Sequence, residues 1–266
     1  MLREPQVAGQ FYPAEKKELL ETVIRSMAGG FHKINACGVV SPHAGYMYSG
    51  AVAGEVYSRI KPKNTYIILG PNHTGFGEPF AAFSGSWKTP LGLVHADTVL
   101  LKTIMNNTGL IVEDVSAHMY EHSIEVQLPF IQKISPEARI VPITVRHSNL
   151  EDLREIAEVI TESLRKTKKD AVIVASSDMS HYETRQIASK KDKKAIEKIV
   201  ELDPEGLLDV VEREDISMCG IIPTAIMLFC AKKMGACKAE LIKYTDSGEV
   251  TGDTAQVVGY AGIIVS

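Results

Sequence analysis

The chain is 266 residues long with 45% hydrophobic and 23% charged side chains, proportions that exclude a disordered or fibrous protein and allow a large core. Its net charge of -4, with no lysine or arginine cluster interleaved with aromatics, excludes a nucleic-acid groove. Four cysteines without CxxC spacing argue against a disulfide framework or a zinc ribbon.

The opening residues, MLREPQVAGQFYP, place charges and two prolines where a signal peptide needs an apolar core. The longest apolar run, residues 220–231, contains Pro223 and is shorter than the roughly 20 residues that cross a bilayer. A cytoplasmic protein with no membrane contact is expected. Along the chain, GVVS (38–41), TYIIL (65–69), IVPITV (140–145) and AVIVA (171–175) are short β-branched runs bounded by turn residues, as interior strands of a largely parallel sheet should be. Helical patterns alternate with them. Ser49 is positioned to cap a helix through Ile60, Asn149 one through Lys166, and Asp203 followed by Pro204 opens another.

Residues 121–134 also carry helical spacing, with Ile124, Leu128 and Ile131 on one face and Pro129 interrupting. The lysine-rich stretch 190–198 reads as a solvated helix face. After Cys219, IIPTAIMLFCAKKM predicts a buried helix, and AELIKYT and QVVGYAGIIV predict two closing strands. No repeat and no Pro/Gly/Ser linker interrupts this order. A single α/β domain over residues 1–266 is expected, with a mostly parallel central sheet flanked by helices.

Three histidines share one local setting. In GVVSPHAGY, YIILGPNHTG and AVIVASSDMSH an apolar strand ends, a polar turn follows, and His43, His73 or His181 appears. Functional groups of open α/β sheets gather beyond the carboxyl ends of the strands, so one shared site is expected, with metal-binding and acid/base roles both open to imidazole. The alternative is that each histidine caps its own strand. Cys219, in SMCGIIPTA, falls just before a predicted helix start, where amide groups favour a thiolate; a buried inert cysteine is the competing reading. Asp178 either orients His181 or caps a turn. In YEHSIEVQ, His122 and Glu125 fall near one rim of such a site, although a helix start with surface carboxylates, Glu121 among them, is the simpler reading. His32, His95, His118 and His147 have no comparable setting and are expected to be structural or exposed. No phosphate-binding loop of the GxGxxG or GxxxxGK[ST] type is present.

Six ordered stretches, VAGQFYP, SPHAGYMYSG, ILGPNHTG, EHSIEVQLPF, SSDMSHY and MCGIIP, make the sequence resemble the Memo family over essentially its whole length. The resemblance implies a fold similar to that of class III extradiol ring-cleaving dioxygenases. It also implies metal ligation by His43, His73 and Cys219 and an acid/base role for His181, beside which Asp178, read as its orienter, is the second candidate catalytic residue. A cysteine in place of the dioxygenases' carboxylate ligand widens the expected cofactor to iron or copper, with zinc admissible. Phe11, Tyr48 and His122 are expected to face a small-molecule or peptide ligand, since Phe11, Tyr48, Asp178 and His181 match the pocket in which eukaryotic relatives accept a phosphotyrosine-containing peptide. The resemblance also implies a functional link to a radical S-adenosylmethionine protein, which often accompanies the family in microbes together with a third conserved partner. Three functions therefore stand: a metal-dependent, dioxygenase-like oxidoreductase, a binding module using the same pocket, and a cysteine hydrolase with Cys219, His181 and Asp178 as nucleophile, base and orienter.

Overall fold

The computed structural model describes residues 1–27, 29–146 and 148–266; His147 lies outside them. The strands are β1 (Leu2–Arg3), β2 (Gly38–Ser41), β3 (Thr65–Pro71), β4 (Phe80–Ala82), β5 (Ser86–Thr89), β6 (Gly92–Ala96), β7 (Val112–Glu113), β8 (Arg139–Val145), β9 (Ala171–Ser176), β10 (His181–Glu183), β11 (Ala239–Asp246) and β12 (Val257–Val265). The helices are α1 (Lys16–Ser26), α2 (Tyr46–Arg59), α3 (Thr98–Asn106), α4 (Leu128–Ile134), α5 (Leu150–Thr167), α6 (Arg185–Val200), α7 (Pro204–Arg213), α8 (Ile221–Lys233) and the single turn α9 (Gly248–Thr251).

The expected architecture is observed. The sheet runs β1-β5-β6-β8-β3-β9-β2-β12-β10, and its middle, β6-β8-β3-β9-β2, is parallel throughout. Antiparallel β12 and β11 close one side. Both faces of the middle strands are buried, so their sequences are continuous apolar runs. Ile67 and Leu69 of β3 join a core under α3, α5, α6, α7 and α8, while Tyr66 and Ile68 point the other way, into a core under α1, α2 and α4. No helix among the described residues is long and apolar enough to cross a membrane.

Asn149 and Asp203 cap α5 and α7 through their side chains, as the sequence predicts. Two helices start elsewhere than expected. α2 begins at Tyr46, with Gly45 and not Ser49 as its cap; the Tyr46 N–H donates to the Phe11 carbonyl at 2.7 Å, so a distant segment satisfies an amide that a capping side chain would otherwise take. Ser49 instead donates to the Ala44 carbonyl from inside the first turn. The helix expected over residues 121–134 is regular only from Leu128, after a 3-10 turn at Glu125–Gln127. Pro129 falls in its first turn, where the missing N–H costs little.

The carboxylates expected at the surface here are among the most buried groups, Glu121 at 1% and Glu125 at 0% exposure. Glu125 pairs with Arg3 at 2.6 Å and accepts from the Gln6 and Val7 amides and the Tyr12 hydroxyl. Arg3 also donates to the carbonyls of His118 and Glu121 and lies 4.2 Å over the Trp87 ring. A buried pair is tolerable only when every donor and acceptor is satisfied, and removing one partner strands the other charge. Arg3→Met is accordingly expected to lower unfolding stability by about 3–5 kcal/mol, read from urea denaturation at neutral pH; a loss under about 1 kcal/mol, typical of exposed pairs, would refute this account of the N-terminal strap.

Candidate metal centre

β3, β9 and β2 are adjacent and parallel, so their carboxyl ends open on the same edge of the sheet. Two residues beyond Ser41, Pro71 and Ser176 stand His43, His73 and Asp178. The His43 and His73 ring centroids are 5.1 Å apart. His122, expected at the rim, lies within this group, stacked on His73 at 4.8 Å and edge-on to His43 at 5.5 Å. One ring nitrogen from each of the three lies within 4.8 Å of the other two, within reach of a single ion. His43 is 2% exposed, whereas the side chains of His122 and His73 are 22% and 35% exposed, so the group opens to solvent on the His73 side.

The proton on each ring follows from its neighbours. Ser176 Oγ donates to the Ser123 carbonyl at 2.7 Å and accepts from the Gln127 amide at 2.9 Å. Its single proton being committed, it can only accept from His43 Nδ1, 2.9 Å away. Gln127 is itself oriented, accepting from the Tyr57 hydroxyl and donating to the Pro42 carbonyl. His43 is therefore the Nδ1–H tautomer, and its Nε2 lone pair faces the Cys219 sulfur at 3.3 Å. His73 Nδ1 donates to Glu121 Oε1 at 3.0 Å and its backbone N–H to Oε2 at 2.5 Å, leaving its Nε2 free as well. The same Oε1 accepts the backbone amides of His122 and Ser123.

These contacts set the charges. Burial holds His43 neutral far below the usual imidazole range, with the other imidazoles adding to the effect, and burial lowers His122 despite the Glu121 charge. For Glu121, burial alone would raise the carboxyl, but the His73 and Ser123 bonds prevail and hold it at about 2. Burial and the neighbouring Asp178 push the Cys219 thiol up. Burial raises Asp178 to about 6 against the His43 N–H bond and the His181 charge. The imidazoles offer lone pairs, and the thiol lies within reach of two acceptors, His43 Nε2 at 3.3 Å and the Asp178 carbonyl at 3.7 Å.

The remaining expected residues divide. Cys219 touches His43 and accepts from the Asp178 amide at 3.2 Å. Phe11 meets His122 edge-on at 4.8 Å. Tyr48 sits in the first turn of α2, and no hydrogen bond or ring contact among the described residues joins it to the three histidines. Asp178 accepts from the His43 backbone N–H at 2.8 Å, while His181 Nδ1 lies 2.9 Å from the Ser217 carbonyl. The hydrolase arrangement is thus not formed: Asp178 orients no ring of His181, and the imidazole beside Cys219 is His43. His118 is buried, bonded to the Ala81 carbonyl and held at about 4 by burial; His95 bonds Ser86 on an exposed strand.

Glu121, Gln127 and Ser176 were not anticipated as supports. A signal existed in their segments, since EHSIEVQ and ASSD stand directly beside the histidines, but charge and polarity alone point to the surface. Glu121→Gln would set an amide N–H₂ against N–H donors, with an expected loss of about 1–3 kcal/mol at neutral pH. Because the Glu121 carboxyl is depressed to about 2 from an unfolded value near 4.5, its stabilisation is full above that value and disappears as pH falls toward 2. The gap between wild type and variant in urea unfolding should narrow from pH 7 to pH 3; a gap independent of pH would contradict the assigned charge.

A family model described as Memo-like protein matches residues 3–264. A MEMO1 family protein of Methanopyrus kandleri is 44% identical, covering 99% of both chains. One of Methanosarcina barkeri is 43% identical over 99% of this chain and 100% of its own. Among solved structures, an uncharacterized protein of Escherichia coli K12 superposes with a TM-score of 0.54 at 12% identity, covering 85% of this chain and 98% of that one, which is a likeness of fold alone. With a full-length model match and relatives of this identity, the chain belongs to the Memo family.

Proposed function

We propose that this protein is a metal-dependent oxidoreductase whose cofactor is held by His43, His73 and Cys219, with His122 in reach of the same ion. The observation that carries this reading is the disposition of protons. His43 and His73 each commit Nδ1–H to an acceptor and direct Nε2 into the group, the arrangement in which an outer hydrogen bond fixes the tautomer of a metal-binding histidine. The donor set fits a transition metal: imidazole with one sulfur suits copper, zinc or iron, and disfavours magnesium or calcium. Bound iron or copper would supply redox chemistry toward a small aromatic substrate.

The chain's own residues supply the rest. Phe11 offers an apolar wall beside His122 against which a planar substrate can pack. His181, its Nδ1 bonded to Ser217, keeps Nε2 as a proton acceptor. Asp178, raised to about 6, is suited to exchange a proton near neutrality. Metal binding must displace the Cys219 proton, so affinity should fall as pH is lowered.

Protein purified under anaerobic, reducing conditions is expected to carry an equimolar transition metal, lost in His43→Ala and Cys219→Ala. Elemental analysis checks this, and a metal-free wild type that also fails to take up cobalt(II) would end the proposal. Cobalt(II) titration of Glu121→Gln should show affinity lowered by roughly 10–100-fold, the usual effect of removing an outer-sphere partner. A second reading, a binding pocket without redox chemistry, draws on a cavity of about 570 Å³ that shares Phe11 and is lined by Arg25, Tyr46 and Met47, a combination suited to an anionic aromatic group such as phosphotyrosine.

A further inference from the structure

Helix α6 carries the lysine-rich stretch, and two of its residues do not belong to a solvated face. Asp192 is 0% exposed. Its Oδ1 accepts the Ser180 backbone N–H at 2.9 Å and its Oδ2 the Tyr244 hydroxyl at 2.7 Å. The carboxylate fits because residue 259 is glycine: a Cβ there would stand 2.1 Å from Asp192 Oδ2. Its neighbour Lys191, 20% exposed at the side chain, donates to Glu183 Oε1 at 2.5 Å and to the Asp215 carbonyl at 2.7 Å.

Three of the four anchored points lie around His181. Ser180 precedes it, Glu183 follows two residues later, and Asp215 begins the turn that reaches Ser217. That turn receives His181 twice, at Ser217 Oγ from the backbone N–H at 2.7 Å and at the Ser217 carbonyl from the ring at 2.9 Å. A carbonyl only accepts, so the ring bond requires Nδ1–H and leaves Nε2 unprotonated when the imidazole is neutral. Burying a carboxylate is costly unless its bonds are made, and here one bond ties the segment that carries His181, at Ser180, to α6 while the other anchors the same carboxylate to Tyr244 of β11. The geometry points to Lys191 and Asp192 as positioning residues that fix the orientation and tautomer of His181. The use of Nε2 as a proton acceptor rests on the function proposed above; the positioning itself does not.

The test is nitrogen NMR of metal-free protein labelled with ¹⁵N-histidine, in which long-range proton–nitrogen correlations report the tautomer of each ring. Wild type should show His181 as a single Nδ1–H form, and so should Asp192→Asn, whose amide oxygen still accepts from Ser180. Asp192→Leu and Lys191→Met should lose that single pattern and show exchange between tautomers, with the His43 and His73 signals in place. Cobalt(II) affinity should be unchanged in Lys191→Met, so a failure here is distinct from a failure of the metal proposal. Retention of the Nδ1–H pattern in either disruptive variant would overturn the role of that residue. Loss in Asp192→Asn, or an equal loss in the exposed control Lys193→Met, would overturn the proposal as well. Should Asp192→Leu not fold, Lys191→Met and Asp192→Asn decide the matter.

Discussion

The site exists because β3, β9 and β2 lie side by side and run the same way. Parallel neighbours deliver all their carboxyl ends to one edge, and each of these three strands continues into a turn with a polar side chain two residues on. His43, His73 and Asp178 are far apart in sequence and meet without any long side chain having to reach. A rigid sheet with both faces packed gives those turns fixed starting points, which is the usual reason that ligands settle at this edge of open α/β sheets. The 121–127 segment completes the arrangement from the side, bringing His122 and, in Glu121, the acid that braces it.

Hydrogen-bond accounting then converts proximity into chemistry. Three imidazoles near one another could repel as cations or bond among themselves. Here His43 and His73 are turned outward at Nδ1, to Ser176 and Glu121, and burial keeps His43 and His122 from charging. What remains is a set of inward lone pairs and one sulfur. The carboxylate that orients His73 is ionised because its bonds from His73 and the Ser123 amide outweigh its burial.

Much of this was legible in the sequence. Apolar runs bounded by turn residues located the middle strands, and the recurrence of a histidine just beyond three of them suggested a common site. The Asn149 and Asp203 caps were readable because an N-cap is a local device, with both partners within three residues. Glu121, Glu125 and the start of α2 were not readable for the converse reason. Their partners, His73, Arg3, Tyr12 and the Phe11 carbonyl, are remote in the chain, and a charged residue without a visible partner is assigned to the surface by default. The short strands β1, β4 and β7 have too few residues to carry a periodic signal.

Glu121 serves four donors with two oxygens: the His73 ring and amide, and the amides of His122 and Ser123. Two of the clustered histidines, one by its ring and the other by its backbone, therefore hang from one carboxylate, and a change at either is felt by the other through it. Substitutions at His73, Glu121 and His122 form a single thermodynamic unit whose effects will not sum, so the worth of each position has meaning only within a cycle that varies its companions.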